Sequence, residues 1–381
     1  MLTGLTLALA LPPLDSVWKI VVFLVMLSVL VVLHEGGHFI VARRNGVRVN
    51  DFAVGFGPTL LKWTSPRSGT NYRINLLPLG GYCAMQGEDG KTNEAEQQRQ
   101  FRADHVAGSD NFQSKSPLQR LAIVVAGPIA NFIVAFLILF FAAISFGIDT
   151  GVATTQIGLV QSGTPGAQAG LQSGDSIVAI DGVRYSDGDA LLKKIRASAG
   201  VRLQVTFSHQ GAEKTAAITP AAIKVGDQTV GQIGFQRIFA FQRVNPMQAT
   251  VLAAQGTWGR IAGTFQGLAQ LITNPRVGAA GVGGPIAMGR AAGIIQDLGW
   301  AYYLSFAASL SVALGFFNLL PIPALDGGRA MFILAEMLRG RPVDPEREAL
   351  VHFAGFAVLM VLVIFVAYHD VANIVSGKGV F

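Results

Sequence analysis

The sequence predicts a polytopic α-helical membrane protein with four transmembrane helices, a cytoplasmic membrane-associated β-hairpin region and one extracytoplasmic α+β domain. Three observations predict it. Of 381 residues, 51% are hydrophobic and only 14% charged, whereas a soluble domain carries about 25% charged residues. Four apolar runs, near 17–42, 118–148, 302–320 and 350–367, are long enough to cross a bilayer. Between the second and third runs lies a stretch of soluble character. The net charge of +6 is spread over loops, with no basic tract or aromatic platform, so nucleic acid is excluded as a partner and membrane orientation accounts for the charge. Cys83 is the only cysteine, so any metal must be held by histidines and carboxylates.

The first segment, 1–44, carries the most informative motif. His34-Glu35-Gly36-Gly37-His38 places two histidines at i and i+4, on one helix face, where both imidazoles can reach one zinc ion and Glu35 can act on a water at the metal. An ionisable residue at bilayer depth costs roughly 2.5 to 3.5 kcal/mol, and three occur together here. The competing reading is a buried polar cluster satisfied by neighbouring helices. No basic region precedes the run, and cleavage would strand the motif, so the segment reads as a retained signal anchor. Arg43, Arg44 and Arg48 follow at once, which puts this end in the cytoplasm and the amino terminus outside. His34 to Arg43 spans roughly 13 Å, so the motif lies nearer the cytoplasmic face.

Residues 45–117 mix alternating apolar positions with turn signals at Gly55-Phe56-Gly57-Pro58 and Pro78-Leu79-Gly80-Gly81, which predicts short strands or hairpins whose edge can receive an extended peptide. Asn75 and the second of those turns are candidates for that contact. From 88 to 116 the composition is polar and reads as an exposed loop. The second span, 118–148, starts at Arg120 and contains Ala126-Gly127-Pro128-Ile129-Ala130-Asn131, where small residues allow close helix approach. Asn131 is either an interhelical hydrogen-bonding residue or a donor to a substrate carbonyl.

Residues 150–224 include Gly163-Thr164-Pro165-Gly166, then Gly174-Asp175 and Ile177-Val178-Ala179-Ile180-Asp181-Gly182. This resembles the PDZ-domain pattern of short helix, turn and strand ending in a tight Asp-Gly turn. Such a domain binds chain ends by strand addition, filters bulky substrates or serves as a spacer. Residues 225–300 are Gly-rich and moderately apolar, and read as amphipathic or re-entrant elements.

The third span, within 301–329, ends in Asn318-Leu319-Leu320-Pro321-Ile322-Pro323-Ala324-Leu325-Asp326-Gly327-Gly328, where prolines and paired glycines break the helix and present an aspartate. If this span runs inward, Asp326 reaches the depth of His34 and His38 as a third ligand. Glu336, Asp344 and His352 are competing ligands. A basic loop, 330–349, and a fourth span within 350–373 return the carboxyl terminus outside. Catalytic zinc takes three protein ligands and leaves a position for water, which matches this donor set with Glu35 as base. His105, His209 and His369 lie in polar segments and read as ordinary surface residues.

Taken together, the HEGGH span, the Ala-Gly-Pro-x-x-Asn span, the PDZ-like insertion and the Asn-x-x-Pro-x-Pro-x-Leu-Asp-Gly-Gly span resemble the site-2 protease family of intramembrane zinc metalloproteases. The likeness is greatest to its bacterial regulator-of-sigma-E branch. The resemblance implies that His34, His38 and Asp326 bind zinc, that Glu35 is catalytic, and that Asn131 and Asn318 lie near the substrate. It implies single-span membrane substrates of the anti-sigma-factor type, with remnant signal peptides as a second class. Members of that branch often carry two PDZ domains, whereas this chain shows one.

Overall fold

Helix α1 (Leu14–Arg44) opens the described chain and ends on Arg43 and Arg44, cations that suit the negative end of the helix dipole. The computed structural model of the protein describes residues 14–87, 110–161, 163–225, 228–273, 284–341, 343 and 345–375. The elements that follow α1 are β1 (Val49–Thr64), β2 (Asn71–Met85), α2 (Pro117–Phe146), β3 (Ile148–Val160), α3 (Pro165–Gln168), β4 (Ser176–Ile180), β5 (Val183–Arg184) and α4 (Gly188–Ala197). Then come β6 (Leu203–His209), β7 (Ala212–Ile218), β8 (Ala221–Val225), β9 (Gln228–Gln232), β10 (Phe235–Gln242), α5 (Pro246–Thr273), α6 (Pro285–Asp297), α7 (Trp300–Leu319), α8 (Asp326–Arg339) and α9 (Pro345–Val375). Among the described residues, four segments are long and apolar enough to cross a membrane: Val17–Arg44, Pro117–Phe146, Trp300–Leu319 and Arg347–Ala372. The chain divides into two compact units, one of residues 1–139, 252–293 and 305–381, the other of 140–251 and 294–304.

In the first unit, helices approach one another where glycine removes the side chain. A Cβ at Gly37 would overlap the Ala126 carbonyl, and one at Gly315 would meet the Pro128 carbonyl and Asn131 Cβ, so α1, α2 and α7 pack at backbone distance. Ser311 Oγ donates to the Asn131 carbonyl at 2.8 Å across the α2–α7 contact. On α5, Arg260 donates to Ser305 and Ser309 of α7 at 2.6 and 3.0 Å. Asp370 of α9 accepts the Gly284 and Ala287 amides at 3.2 and 3.1 Å, capping the start of α6.

Strands β1 and β2 are long and bent, and each pairs twice. Residues 51–54 lie between 81–84 on one side and 71–74 on the other, while 61–64 pair with 71–74 again. The lateral order is therefore 61–64, 71–74, 51–54, 81–84, and the last segment is an outer edge with no further strand paired to it among the described residues. Asn75 fixes the crossing: it accepts from Thr59 Oγ1 and donates to the Gly55 carbonyl, both at 2.9 Å. Its amide is thus buried and engaged within the sheet. Val49, Cys83 and Met85 join Ala42 of α1, Ile123 of α2 and Ile333 of α8 in one buried cluster, which fixes this sheet to the helices.

The second unit holds a sheet of order β10-β3-β4-β6-β7, with β5 paired to β4. Its core includes Ile157, Ile177, Ile180, Leu191, Val205 and Phe207. The predicted helix-turn-strand pattern is present: α3 begins with Pro165 after Thr164, and the β4–β5 turn uses Asp181 and Gly182 at φ of 51° and 79°. Asp187 caps α4 by accepting from the Asp189 and Ala190 amides. The sheet runs past the expected limit at 224, because β10 pairs with β3 from Phe235 opposite Val160 to Gln242 opposite Ile148, and Ile233 enters the core. One other expectation changes. The segment expected as a loop at 330–349 contains α8, whose Ala330 and Ile333 are buried at helical spacing. Most of the 88–116 loop, with His105, and most of the glycine-rich run at 278–286 fall outside the described residues.

Candidate metal centre

His34 and His38 occupy successive turns of α1 and are both 6% exposed, with ring centroids 4.9 Å apart. Their Nε2 atoms lie 3.2 Å from each other. Asp326 Oδ2 is 3.0 Å from His34 Nε2 and 3.4 Å from His38 Nε2. The prolines after α7 give the chain its break, and the turn closes with Leu325 N–H on the Ile322 carbonyl and Gly328 N–H on the Leu325 carbonyl. The paired glycines are required there, since a Cβ at Gly327 would overlap the Leu319 and Leu320 carbonyls and one at Gly328 the Ile322 carbonyl. Asp326 then stands in the first turn of α8, where unpaired amides favour a carboxylate.

The three donors fit a zinc ion. Tetrahedral ligands at about 2.0 to 2.2 Å from the metal are about 3.3 to 3.6 Å apart, which the 3.0 to 3.4 Å triangle approaches without it. Asp326 Oδ2 is buried with no hydrogen-bond partner, an orphan that a cation between the three atoms would satisfy. Two imidazoles and a carboxylate are the donor set of a hydrolytic zinc site. Among the described residues, His34, His38 and Asp326 form the one group of His, Cys, Asp and Glu that could hold an ion.

The surrounding atoms set the tautomers. His38 Nδ1 donates to the Ile123 carbonyl at 2.9 Å, which leaves its Nε2 lone pair for a metal. Asn131, fully buried, has Nδ2 3.1 Å from His34 Nδ1, while its Oδ1 is buried without a partner. Turning that amide over pairs Oδ1 with a proton on His34 Nδ1 and frees His34 Nε2 as a ligand. A Cβ at Gly127 would overlap both Nε2 atoms, so this glycine is the wall of the centre.

A cavity of about 460 Å³ adjoins the centre, lined among others by Glu35, His38, Tyr82, Met85, Asp326 and Arg329. The outer edge of the β1–β2 sheet contributes its wall, and a Cβ at Gly81 would come within 3.7 Å of Glu35 Cγ. Glu35 is half-buried at this surface. The arrangement can therefore present a carboxylate base, a metal and a strand edge to one extended peptide.

Of the residues singled out by sequence, Glu35, His34, His38 and Asp326 converge, and Asn131 joins them through His34. Asn318 does not: its Nδ2 donates to the Leu314 carbonyl one turn back on α7 at 2.9 Å, and it is absent from the cavity wall. The competing ligands have other engagements. Glu336 accepts from Arg120 at 2.5 Å, and His352 Nδ1 accepts from the Ala324 amide at 2.8 Å; Asp344 lies outside the described residues. In the second unit, His209 pairs with buried Asp175 at 2.7 Å rather than standing free at the surface. Two contributors escape a sequence reading. The Ile123 carbonyl is backbone and leaves no signal, whereas Gly127 sits beside Asn131 in a quoted run but reads there only as a packing residue.

The family model described as peptidase family M50 matches residues 22–362. A putative zinc metalloprotease of Rhizobium meliloti is 33% identical over 365 residues, covering 93% of this chain and 96% of that protein. The zinc metalloprotease RasP of Geobacillus kaustophilus is 30% identical, over 94% of this chain and 98% of its own length. The probable protease eep of Enterococcus faecalis is 28% identical, over 92% and 98%. Among solved structures, the PDZ domain of an SdrC-like protein from Listeria monocytogenes aligns with 24% of this chain and 92% of its own at 23% identity, with a TM-score of 0.20, too low to bear on the fold.

Proposed function

The chain belongs to peptidase family M50, the site-2 protease family of zinc metalloproteases, and from that premise we propose that it hydrolyses peptide bonds within the transmembrane segments of single-span membrane proteins. Its class is metalloendopeptidase and its metal is zinc. The substrates are of the anti-sigma-factor type cut in regulated intramembrane proteolysis, with remnant signal peptides as a second class. The observation that carries this reading is the convergence of His34, His38 and Asp326 beside Glu35 on a helix apolar enough to span the bilayer.

His34, His38 and Asp326 would hold zinc, which when bound would supply Lewis acidity to the scissile carbonyl and lower the pKa of a water. Glu35 takes the proton of the attacking water and delivers it to the leaving amine nitrogen. Ile123 and Asn131 keep the two imidazoles in the ligating tautomer. A substrate helix hides its carbonyls in its own hydrogen bonds, so it must unwind, and the outer edge at 81–84 receives it as an added strand. The protein is a multi-pass protein of the bacterial inner membrane, surrounded by lipid, with the active site near the cytoplasmic face and the PDZ-like unit and both termini in the periplasm. Arg43 and Arg44 at the end of α1 support that orientation.

The test is zinc content and cleavage of a single-span reporter by the purified wild type, Glu35→Gln and Asp326→Ala. Glu35→Gln is expected to keep its zinc and lose roughly 10²- to 10⁴-fold in rate, and Asp326→Ala to lose zinc. Unchanged cleavage by Glu35→Gln, or a wild type that purifies without zinc and stays inactive when zinc is restored, would remove the mechanism.

A further inference from the structure

Asp326 owes its aim to the turn before it, and that turn contains an improbable residue. Ala324 has a φ of 78°, the left-handed region that a residue with a Cβ adopts rarely. Such a conformation persists only where its surroundings impose it. Here the surroundings are one face of α9. His352 Nδ1 accepts the Ala324 amide at 2.8 Å, and one turn further along, a Cβ at Gly355 would overlap the Pro323 backbone. The imidazole is itself fixed, with Phe332 of α8 at 5.6 Å between ring centroids. Because Nδ1 accepts, the ring proton sits on Nε2, which is buried without a hydrogen-bond partner and 3.9 Å from Glu348 Oε1. His352 also lines the cavity that Glu35 and His38 share.

We propose that His352 is a positioning residue for the hydrolytic centre: by accepting the Ala324 amide it holds the left-handed turn that sets Asp326 between His34 and His38. This rests on the reading of Asp326 as a zinc ligand. The role is geometric and specific to one nitrogen, because only an acceptor at the Nδ1 position meets the Ala324 N–H. Asparagine places its Oδ1 close to that position, whereas glutamine places its amide near Nε2.

The experiment uses the full-length protein in detergent and compares wild type, His352→Leu, His352→Asn, His352→Gln and Asp326→Ala. Zinc retention is read against a competing chelator, and the visible absorption bands of the cobalt-substituted site report ligand geometry. His352→Leu is expected to weaken zinc retention roughly tenfold, the lower end of the effect of outer-shell partners, and to shift the cobalt bands. His352→Asn should restore both and His352→Gln neither. Should His352→Leu not fold, the contrast between Asn and Gln decides alone. Wild-type zinc retention and bands in His352→Leu, or equal behaviour of the Asn and Gln variants, would overturn the proposal. If Asp326→Ala leaves zinc and bands unchanged, the ligand assignment itself fails and the proposal falls with it; altered bands there with unaltered His352 variants refute the proposal alone.

Discussion

Two glycines of the spanning helices separate what the metal centre needs from what the helix tolerates. Gly127 faces both Nε2 atoms so closely that one methyl group would occupy the ion's place, whereas a Cβ at Gly36 meets nothing within 4 Å. Gly127→Ala is therefore expected to purify with less than a tenth of the wild-type zinc and to lose cleavage in proportion. Gly36→Ala should retain both, since alanine also favours the helix by about 1 kcal/mol. Metal analysis of the two proteins checks this, and equal zinc in both would show that the centre yields more than the packing implies. The ligands were legible because i and i+4 spacing has one meaning on a helix. Gly127 was not, because a glycine in a span signals only close approach, without saying to what. Asn318, which the resemblance places near the substrate, has an engagement that no sequence pattern signals: its Nδ2 donates to the carbonyl four residues back.

At the scale of elements, the apolar runs gave the spanning helices because length and composition suffice to define them. Elements defined by partners were harder. β10 alternates weakly and is a strand because β3 offers it an edge, and α8 forms where a basic stretch has an apolar face to bury. The outer edge at 81–84 is the element with the largest functional consequence. If it captures substrate by strand addition, the rate must depend on how readily the substrate helix unwinds. Two reporters identical except for Gly-Ser or Leu-Ala at the cut site should differ. Gly costs about 1 kcal/mol and Ser about 0.5 kcal/mol in a helix relative to Ala, so the pair predicts a rate advantage of roughly tenfold for the Gly-Ser reporter. Equal rates, measured at the same reporter density in liposomes, would mean that unwinding is not limiting. A second expectation concerns the α2–α7 contact. Gly315→Val drives a branched side chain into the Pro128 carbonyl and Asn131 Cβ, and such overpacking costs about 1 to 3 kcal/mol, visible as a lower midpoint of thermal unfolding in detergent.

For the whole molecule, the decisive property is the side of the membrane on which each part lies, and only charge bears on it in the sequence. Arg43 and Arg44 close α1 next to the β1–β2 sheet, while the sheet of the second unit follows the next spanning helix. In the proposed orientation one crossing separates the two regions, so the β1–β2 sheet would face the cytoplasm, as the arginines suggest, and the other region the opposite side. The composition makes this testable with little disturbance. Cys83, the only cysteine, is buried and can be changed to serine. In that background, Lys214→Cys, on an exposed position of β7, is expected to react in intact cells with a maleimide that cannot cross the inner membrane. Arg67→Cys, in the exposed turn between β1 and β2, should react only after that membrane is opened. Labelling of both positions in intact cells would break the link between spanning helices and sidedness. Labelling of Arg67→Cys alone would invert the orientation and place the metal centre nearer the outer face, where its cavity would draw water and substrate from the periplasm.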